Sequence, residues 1–244
     1  MKIPIWASEM ADEFWRDALV PERFPRDLHT AIPRALPLSV LTIADLSLGK
    51  LRDWLGNTGI ICELKNRDRR LRAGLFARNG KGIAFLDGAD SPEEQRFSLA
   101  HELAHFLRDY WKRRRQVEMR LGHAALEVFD GHRFPRPGER LQSLLHFTPI
   151  RFYLHLLDRD SDGKPANAAI DQVEEDADRL AFEVLAPGRH IVGNVANWRD
   201  SNTLLGALVS DYGFPSHQAS SYVDLLLPQE APKDLFLRKL RIVK

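Results

Sequence analysis

The chain has 244 residues, of which 44% are apolar and 28% are charged, as in ordinary globular proteins with one large domain or one domain plus a small appendage. Thirty-five basic and thirty-four acidic side chains leave a formal charge of +1. This balance excludes an overall electrostatic attraction to nucleic acid or to anionic membranes, so such a partner needs a local basic patch. The stretch WKRRR, residues 111–115, is one such patch, although basic helix ends are usually solvated.

The sequence lacks the features of membrane and secreted proteins. Its longest apolar runs, such as AFEVLAP, are much shorter than the roughly 20 residues of a membrane-spanning helix. The first residues lack the sections of a secretory signal. A single cysteine, Cys62, excludes an internal disulfide and agrees with a reducing compartment. We therefore expect a cytoplasmic protein without membrane contact.

The first ninety residues predict helices followed by strands. Residues 1–56 contain three helical patterns separated by prolines: ASEMADEFWRDAL, PRDLHTAIPRAL and SLGKLRDWLGNTG. After them, GIICELK, RAGLFAR and GIAFLDG are short and rich in β-branched or aromatic residues, which predicts three antiparallel strands. Asn79 and Gly80 predict a tight turn between the second and third strands.

The next helix carries the most informative motif. Ser91 can cap its start, Pro92 suits the first helical position, and Glu94 completes a capping box. In HELAH, residues 101–105, two histidines four positions apart lie on one helix face together with apolar residues, so this face is predicted to point mostly inward.

The HELAH spacing is typical of a zinc centre. His101 and His105 can converge on one metal ion, while Glu102, about 100° around the helix, can reach a water molecule held there. Zinc would lower the pKa of that water and polarise a peptide carbonyl, and Glu102 would act first as base and then as acid. Two helical histidines also occur without a metal, so a third protein ligand decides between the interpretations.

The best candidate for that ligand lies in the helix VEEDADRLAFEVLAP, which ends at Pro187. Glu174 and Asp178 are one turn apart on its apolar side, so Glu174 can bind zinc while Asp178 accepts the N–H of a ligand histidine. The neighbouring Glu175 is the alternative ligand, and acidic residues early in a helix also need no metal. The apolar face comprises Val173, Ala177, Leu180, Ala181, Val184 and Leu185.

RFSLAHELAHF followed by VEEDADRLAFEVLAP resembles the ImmA/IrrE family of zinc metallopeptidases. The resemblance implies an α+β fold: a helix-rich, zincin-like metallopeptidase core with a small antiparallel sheet. By motif, His101, His105 and Glu174 correspond to the zinc ligands and Glu102 to the catalytic glutamate. Asp178 stands where the family often has asparagine and thermolysin-like enzymes have aspartate.

His105 and Glu174 are farther apart in the sequence than is typical of this family, so residues 111–170 are predicted to be an insertion. The metallopeptidase domain then spans residues 1–200. Four aromatic or imidazole side chains in or beside the insertion are candidates to stabilise the oxyanion that develops on the attacked carbonyl, or are structural: Tyr110, His146, Tyr153 and His155. The sequence does not choose among them.

The resemblance also implies limited proteolysis of one regulatory protein, a helix-turn-helix repressor, because several family members cleave or antagonise such a repressor. The strand GIAFLDG is predicted to be the edge along which an extended substrate adds. Residues 201–244 comprise a helix-turn-helix-like helix pair and a basic tail.

A second hypothesis is a DNA-responsive regulator whose metal centre is structural or degenerate. Residues 201–226 contain no Lys or Arg, which disfavours phosphate contacts and favours a packing role for the helix pair. The basic patch at 111–115 and the tail FLRKLRIVK are the remaining candidates for nucleic-acid contact. Cys62 is predicted to be a small buried hydrophobe, and the alternative is a thiolate that occupies the open position of the zinc.

Overall fold

The fold is known from a computed structural model that describes residues 2–60, 67–139, 152–158 and 168–227. It is α+β, as predicted. The helices are α1 (Ile5–Ala18), α2 (Leu28–Ala35), α3 (Leu48–Asn57), α4 (Pro92–His105), α5 (Lys112–Leu121), α6 (His123–Phe129), α7 (Ala168–Leu185), α8 (Gly188–Asn194), α9 (Ser201–Ser210) and α10 (Ser216–Leu226). A π-helix, Phe106–Trp111, joins α4 to α5. The strands are β1 (Leu38–Ile43), β2 (Leu71–Arg78), β3 (Lys81–Asp87) and β4 (Tyr153–Asp158).

The sheet has the order β1-β3-β2-β4 and is mixed rather than purely antiparallel. The predicted hairpin is confirmed: β2 and β3 pair antiparallel, and Asn79 and Gly80 turn the chain with φ values of 53° and 72°. Strand β1 pairs parallel with β3, an arrangement that requires a long crossover connection, here through α3 and β2. This strand lies in the region predicted to be only helical, and most of the predicted strand at 59–65 falls outside the described residues.

Strand β3 is not an edge strand, so the predicted docking of a substrate along GIAFLDG is wrong. Both of its sides are used, because β3 pairs with β1 on one side and with β2 on the other. Within the described part of the chain, β4 is the outermost strand next to β2. The segment predicted to be an insertion, residues 111–170, therefore supplies this strand.

Buried residues from several helices pack together in one hydrophobic cluster. It includes residues of α1, α4 and α7 together with Leu204, Leu208 and Tyr222 of the C-terminal pair, which have no exposed surface. The pair therefore has the predicted packing role, while the domain boundary at residue 200 stays a prediction. Among the described residues, no helix combines the length and apolar character needed to cross a bilayer.

Helix α4 begins as predicted and is more buried than predicted. Ser91 Oγ accepts from the backbone N–H of Glu94, and the Glu94 side chain accepts from the N–H of Ser91. Residues 97–105 are all buried, so α4 is surrounded by protein rather than inward-facing on one side. On α7 the predicted apolar face is buried from Ala177 onward, whereas Val173 is 36% exposed.

Candidate metal centre

Helices α4 and α7 pack against each other and bring the predicted ligands together. His101 and His105 lie in the last two turns of α4 and are 3% and 0% exposed. The side chain of Glu174, on α7, is 33% exposed and reaches both imidazoles. Glu175 instead points outward and pairs with Arg179, so it is not part of this group.

Three donor atoms form a compact triangle. Nε2 of His101 lies 3.2 Å from Nε2 of His105 and 3.2 Å from Oε2 of Glu174. The third side, from Nε2 of His105 to Oε2 of Glu174, is 3.6 Å. Ligand atoms around a tetrahedral zinc ion, with bonds of about 2.0 to 2.1 Å, are about 3.3 to 3.4 Å apart. The observed triangle therefore fits one face of such a site.

Carboxylates fix the orientation of both histidines. Nδ1 of His101 lies 2.8 Å from Oδ1 of Asp178, and Nδ1 of His105 lies 2.9 Å from Oδ2 of Asp109. If each Nδ1–H donates to its carboxylate, each Nε2 presents a lone pair to the triangle. Two imidazole lone pairs and a carboxylate oxygen then face one another, and this is unfavourable unless a positive charge lies between them.

Glu102 has no exposed surface, and its two oxygens differ in their contacts with the described residues. Its Oε2 lies 2.9 Å from Nδ1 of His155. Its Oε1 is buried without a hydrogen-bond partner among the described residues. An unsatisfied buried acceptor costs about 1 to 3 kcal/mol, so this oxygen is suited to accept a proton from a molecule that enters the site.

Strand β4 adds a fourth potential donor, His155. The group of side chains able to hold a metal ion comprises His101, His105, His155 and Glu174, with donor atoms within 4.8 Å of one another. The His155 ring stacks on the His105 ring at 3.7 Å, and its Nε2 lies 3.2 Å from Oε1 of Glu174. On the same strand, the hydroxyl of Tyr153 lies 3.2 Å from Nδ1 of His105.

The electrostatics of the cluster favour positive charge at its centre. Burial opposes protonation of His101, yet the hydrogen bonds to Asp178 and Glu174 outweigh it and raise the pKa of His101 to about 10. Against the same penalty from burial, Glu102 raises the pKa of His155 to about 9. Burial favours the neutral form of Glu174, but the three histidines hold its pKa far below the usual range. A proton or a metal cation can satisfy this cluster.

The sequence predictions missed Asp109 and did not select His155. Asp109 could have been found, because it follows His105 at the same four-residue spacing that separates the two histidines. His155 has no such local signal, since β4 reaches the site through pairing of His155 with Leu75 of β2. Tyr110 does not reach the site: it is a core residue whose hydroxyl accepts from the N–H of Gly80.

The remaining sequence predictions concern His146, Cys62 and the basic patch at residues 111–115. His146 and Cys62 lie outside the described residues, so their roles stay predictions. In the basic patch, Arg114 forms a bidentate pair with Asp130 at 2.6 and 2.9 Å, and Arg115 contacts Glu13 at 3.2 Å. These two guanidinium groups already have carboxylate partners.

Part of the chain matches the model of a peptidase family. Residues 62–127 match the family model described as the IrrE N-terminal-like domain, Peptidase_M78. The match contains α4 with its two histidines, continues into the segment predicted to be an insertion, and ends before Glu174. A search of curated proteins found no match. Residues 62–127 are therefore similar to the IrrE N-terminal-like domain, which confirms the predicted resemblance to the ImmA/IrrE family over this part of the chain.

Proposed function

We propose that the protein is a zinc-dependent metallo-endopeptidase that cleaves a specific regulatory protein, a helix-turn-helix transcriptional repressor. The observation that carries the proposal is the triangle formed by His101, His105 and Glu174, whose sides of 3.2, 3.2 and 3.6 Å match the spacing of zinc ligands. The matched peptidase family supports the reaction class.

His101, His105 and Glu174 would hold the metal, and Asp178 and Asp109 would orient the two histidines. When bound, zinc supplies a Lewis acid that polarises a peptide carbonyl and lowers the pKa of water. The buried Oε1 of Glu102 accepts a proton from the attacking water and returns it to the leaving amine, so the proton count balances over the cycle. The C–O bond to the attacking water oxygen forms first; the peptide C–N bond then breaks, and its electron pair passes to the nitrogen, which takes up the proton.

His155 is suited to donate to the oxygen of the attacked carbonyl. Its nitrogens contact Glu102 Oε2 and Glu174 Oε1, the latter being the glutamate oxygen outside the triangle. This placement puts an N–H donor between the proposed base and the proposed ligand, where negative charge develops during the reaction. We therefore assign oxyanion stabilisation to His155 rather than to Tyr110 or Tyr153.

The test is co-expression with the helix-turn-helix repressor encoded nearest to this protein, with zinc content and cleavage measured together. Wild type should hold one zinc ion per chain and cut the repressor, whereas Glu102→Gln should keep the zinc and lose cleavage. Glu174→Gln should lose zinc. The matched control Glu175→Gln should keep both the zinc and the cleavage, because the Glu175 side chain pairs with Arg179 and points away from the metal centre. Cleavage by Glu102→Gln at the wild-type rate would refute the mechanism.

One observation favours a second candidate function, that of a latent or non-catalytic metal-dependent regulator. Four donor side chains converge, and a metal site with four protein ligands is typical of structural zinc because no position remains for water. Cobalt substitution distinguishes the two functions. If His155→Ala leaves the visible spectrum of the Co²⁺ protein and its metal affinity unchanged, then His155 is no ligand and the catalytic assignment stands. A spectral shift with weaker binding supports the closed site.

The predicted contact with nucleic acid belongs to this second candidate. Because Arg114 and Arg115 are paired with Asp130 and Glu13, phosphate binding by these two side chains requires breaking those pairs. Salt-dependent DNA binding that is lost when residues 113–115 are changed to glutamine would support a DNA-responsive regulator.

A further inference from the structure

A cavity of about 270 Å³ lies beside the first half of α4, lined by residues 25–29 together with Pro92, Gln95, Arg96 and Leu99. None of the proposed metal donors lines it. Its volume is slightly below the roughly 300 to 1,000 Å³ of typical small-molecule sites, and so suits a small metabolite rather than a peptide.

Arg26 is the buried cation of this cavity. It is 6% exposed, and its guanidinium lies 4.3 Å from the centre of the Trp15 ring and 4.8 Å from that of Phe24. One terminal nitrogen donates to Glu22 at 2.7 Å. The Nε–H is buried without a partner in the described part of the chain. A buried charged group with an unused donor is costly, and an anion in the cavity would offset that cost.

Arg96 is the second cation. Its Nη1 donates to the backbone oxygen of Gly213 at 3.0 Å. No carboxylate of the described residues lies within ion-pair distance of its guanidinium, so most of its five N–H donors are available. The Arg96 side chain is partly buried between α4 and the turn before α10, which limits its freedom.

The acidic residue on the cavity wall is already engaged. Asp27 caps α2: one oxygen accepts from the backbone N–H of Thr30 at 3.0 Å and the other from its hydroxyl at 2.6 Å. Among the residues that line the cavity, Arg26 and Arg96 are cationic and Asp27 is anionic, while Glu22, the ion-pair partner of Arg26, is not part of the lining. Two guanidinium groups around a concave space are the arrangement that recognises carboxylate and phosphate oxygens.

We propose that this cavity binds a small oxyanion-bearing metabolite, held by Arg26 and Arg96. The site is separate from the proposed metal centre but shares a helix with it, because Arg96 precedes His101 by five residues on α4. A bound anion would link the start of α2 to α4, and through Arg96 to the turn at Gly213.

The test is isothermal titration of the full-length protein with inorganic phosphate and, separately, with succinate, both at matched ionic strength. Wild type should bind at least one probe, and the tighter of the two identifies the oxyanion class. Arg96→Gln should weaken binding by about tenfold or more, the size expected for a lost charge-assisted contact. The matched control Arg72→Gln removes an arginine that lies outside the cavity near Glu94 and should bind as wild type does.

Binding that survives Arg96→Gln would overturn the proposal, since phosphate held at the metal centre behaves in that way. Absence of binding to either probe at about 10 mM, far weaker than an ordinary metabolite site, also overturns it. If Arg96→Gln does not fold, Arg26→Lys provides the same comparison: it keeps the charge, removes the Nε donor and should weaken binding.

Discussion

The two aspartates that contact His101 and His105, the proposed metal ligands, should differ in their effect on zinc affinity. Asp109 and Asp178 each contact Nδ1 of one histidine, at 2.9 and 2.8 Å. The Asp109 side chain is 7% exposed, whereas that of Asp178 is 45% exposed. A charge near a protein surface or interior acts through an effective dielectric of about 20, against about 80 in water, so solvent weakens the attraction of an exposed carboxylate by up to about fourfold.

We therefore expect Asp109→Asn to reduce zinc affinity more than Asp178→Asn. Loss of such an orienting carboxylate generally costs 10- to 100-fold in metal affinity, or about 1.4 to 2.7 kcal/mol. Asp109→Asn should lie near the upper value and Asp178→Asn near the lower one. The assay is competition for zinc with a chromophoric chelator, after circular dichroism has shown that each variant is folded.

Asp45→Asn is the matched control, because Asp45 makes an exposed ion pair with Arg70 away from the metal centre and should leave zinc affinity unchanged. An equal or larger loss in Asp178→Asn would refute the argument from burial. Unchanged affinity in both variants would refute the orienting role itself.

Four further measurements concern the charges of the site and the packing around it. Because the folded-state pKa values of His101 and His155 are raised to about 10 and about 9, their contribution to the stability of the metal-free protein is complete below about pH 6.5 and lost as pH rises through 9 to 10. Urea midpoints should record this loss for the metal-free protein, and an equal loss with saturating zinc would contradict it, since a metal bound at Nε2 of His101 displaces the proton there. Zinc binding at pH 7 should accordingly release protons, measured by titration calorimetry in buffers of different ionisation enthalpy; heats independent of the buffer would count against the raised pKa values. Leu103→Ala should lower the free energy of unfolding by roughly 2 to 5 kcal/mol, because Leu103 is fully buried in α4, and a loss below about 1 kcal/mol would contradict the packing. Gly82→Ala should lower the free energy of unfolding by about 1 to 3 kcal/mol, because a Cβ there would lie 2.6 Å from the Phe106 ring and 2.8 Å from Leu38. A variant as stable as wild type would mean that β3 and the π-helix are farther apart.

Local signals in the sequence predicted the elements that position the candidate site. The Ser91 capping box predicted the start of α4, and the Asn79-Gly80 pair predicted the β2–β3 hairpin. Both depend on residues a few positions apart, where backbone conformation and hydrogen bonding are set by neighbours. Helical periodicity favoured Glu174 over Glu175 as a ligand, which stays a prediction; in the structure Glu174 lies 3.2 Å from His101, whereas Glu175 pairs with Arg179.

Long-range pairing was harder to predict. Strand β1 is stabilised by its parallel register with β3, where Leu38 faces Gly82, although more than forty residues separate them in the sequence. That register makes β3 central and removes it as a substrate edge. The six residues of β1 carry no pattern that identifies the strand with which they pair, because the burial of a residue in a mixed sheet depends on the strands on either side.

By itself, the sequence determined the histidine pair, the neighbouring glutamate and the helix that offers Glu174, because helical periodicity assigns faces to residues along one element. Only the tertiary structure decided that His155 joins them and that Arg26 and Arg96 share a cavity. His155 reaches the centre through the pairing of β4 with β2, and the two arginines meet where α2 approaches α4. These contacts arise between elements distant in the chain, and the packing of the whole core sets their distances.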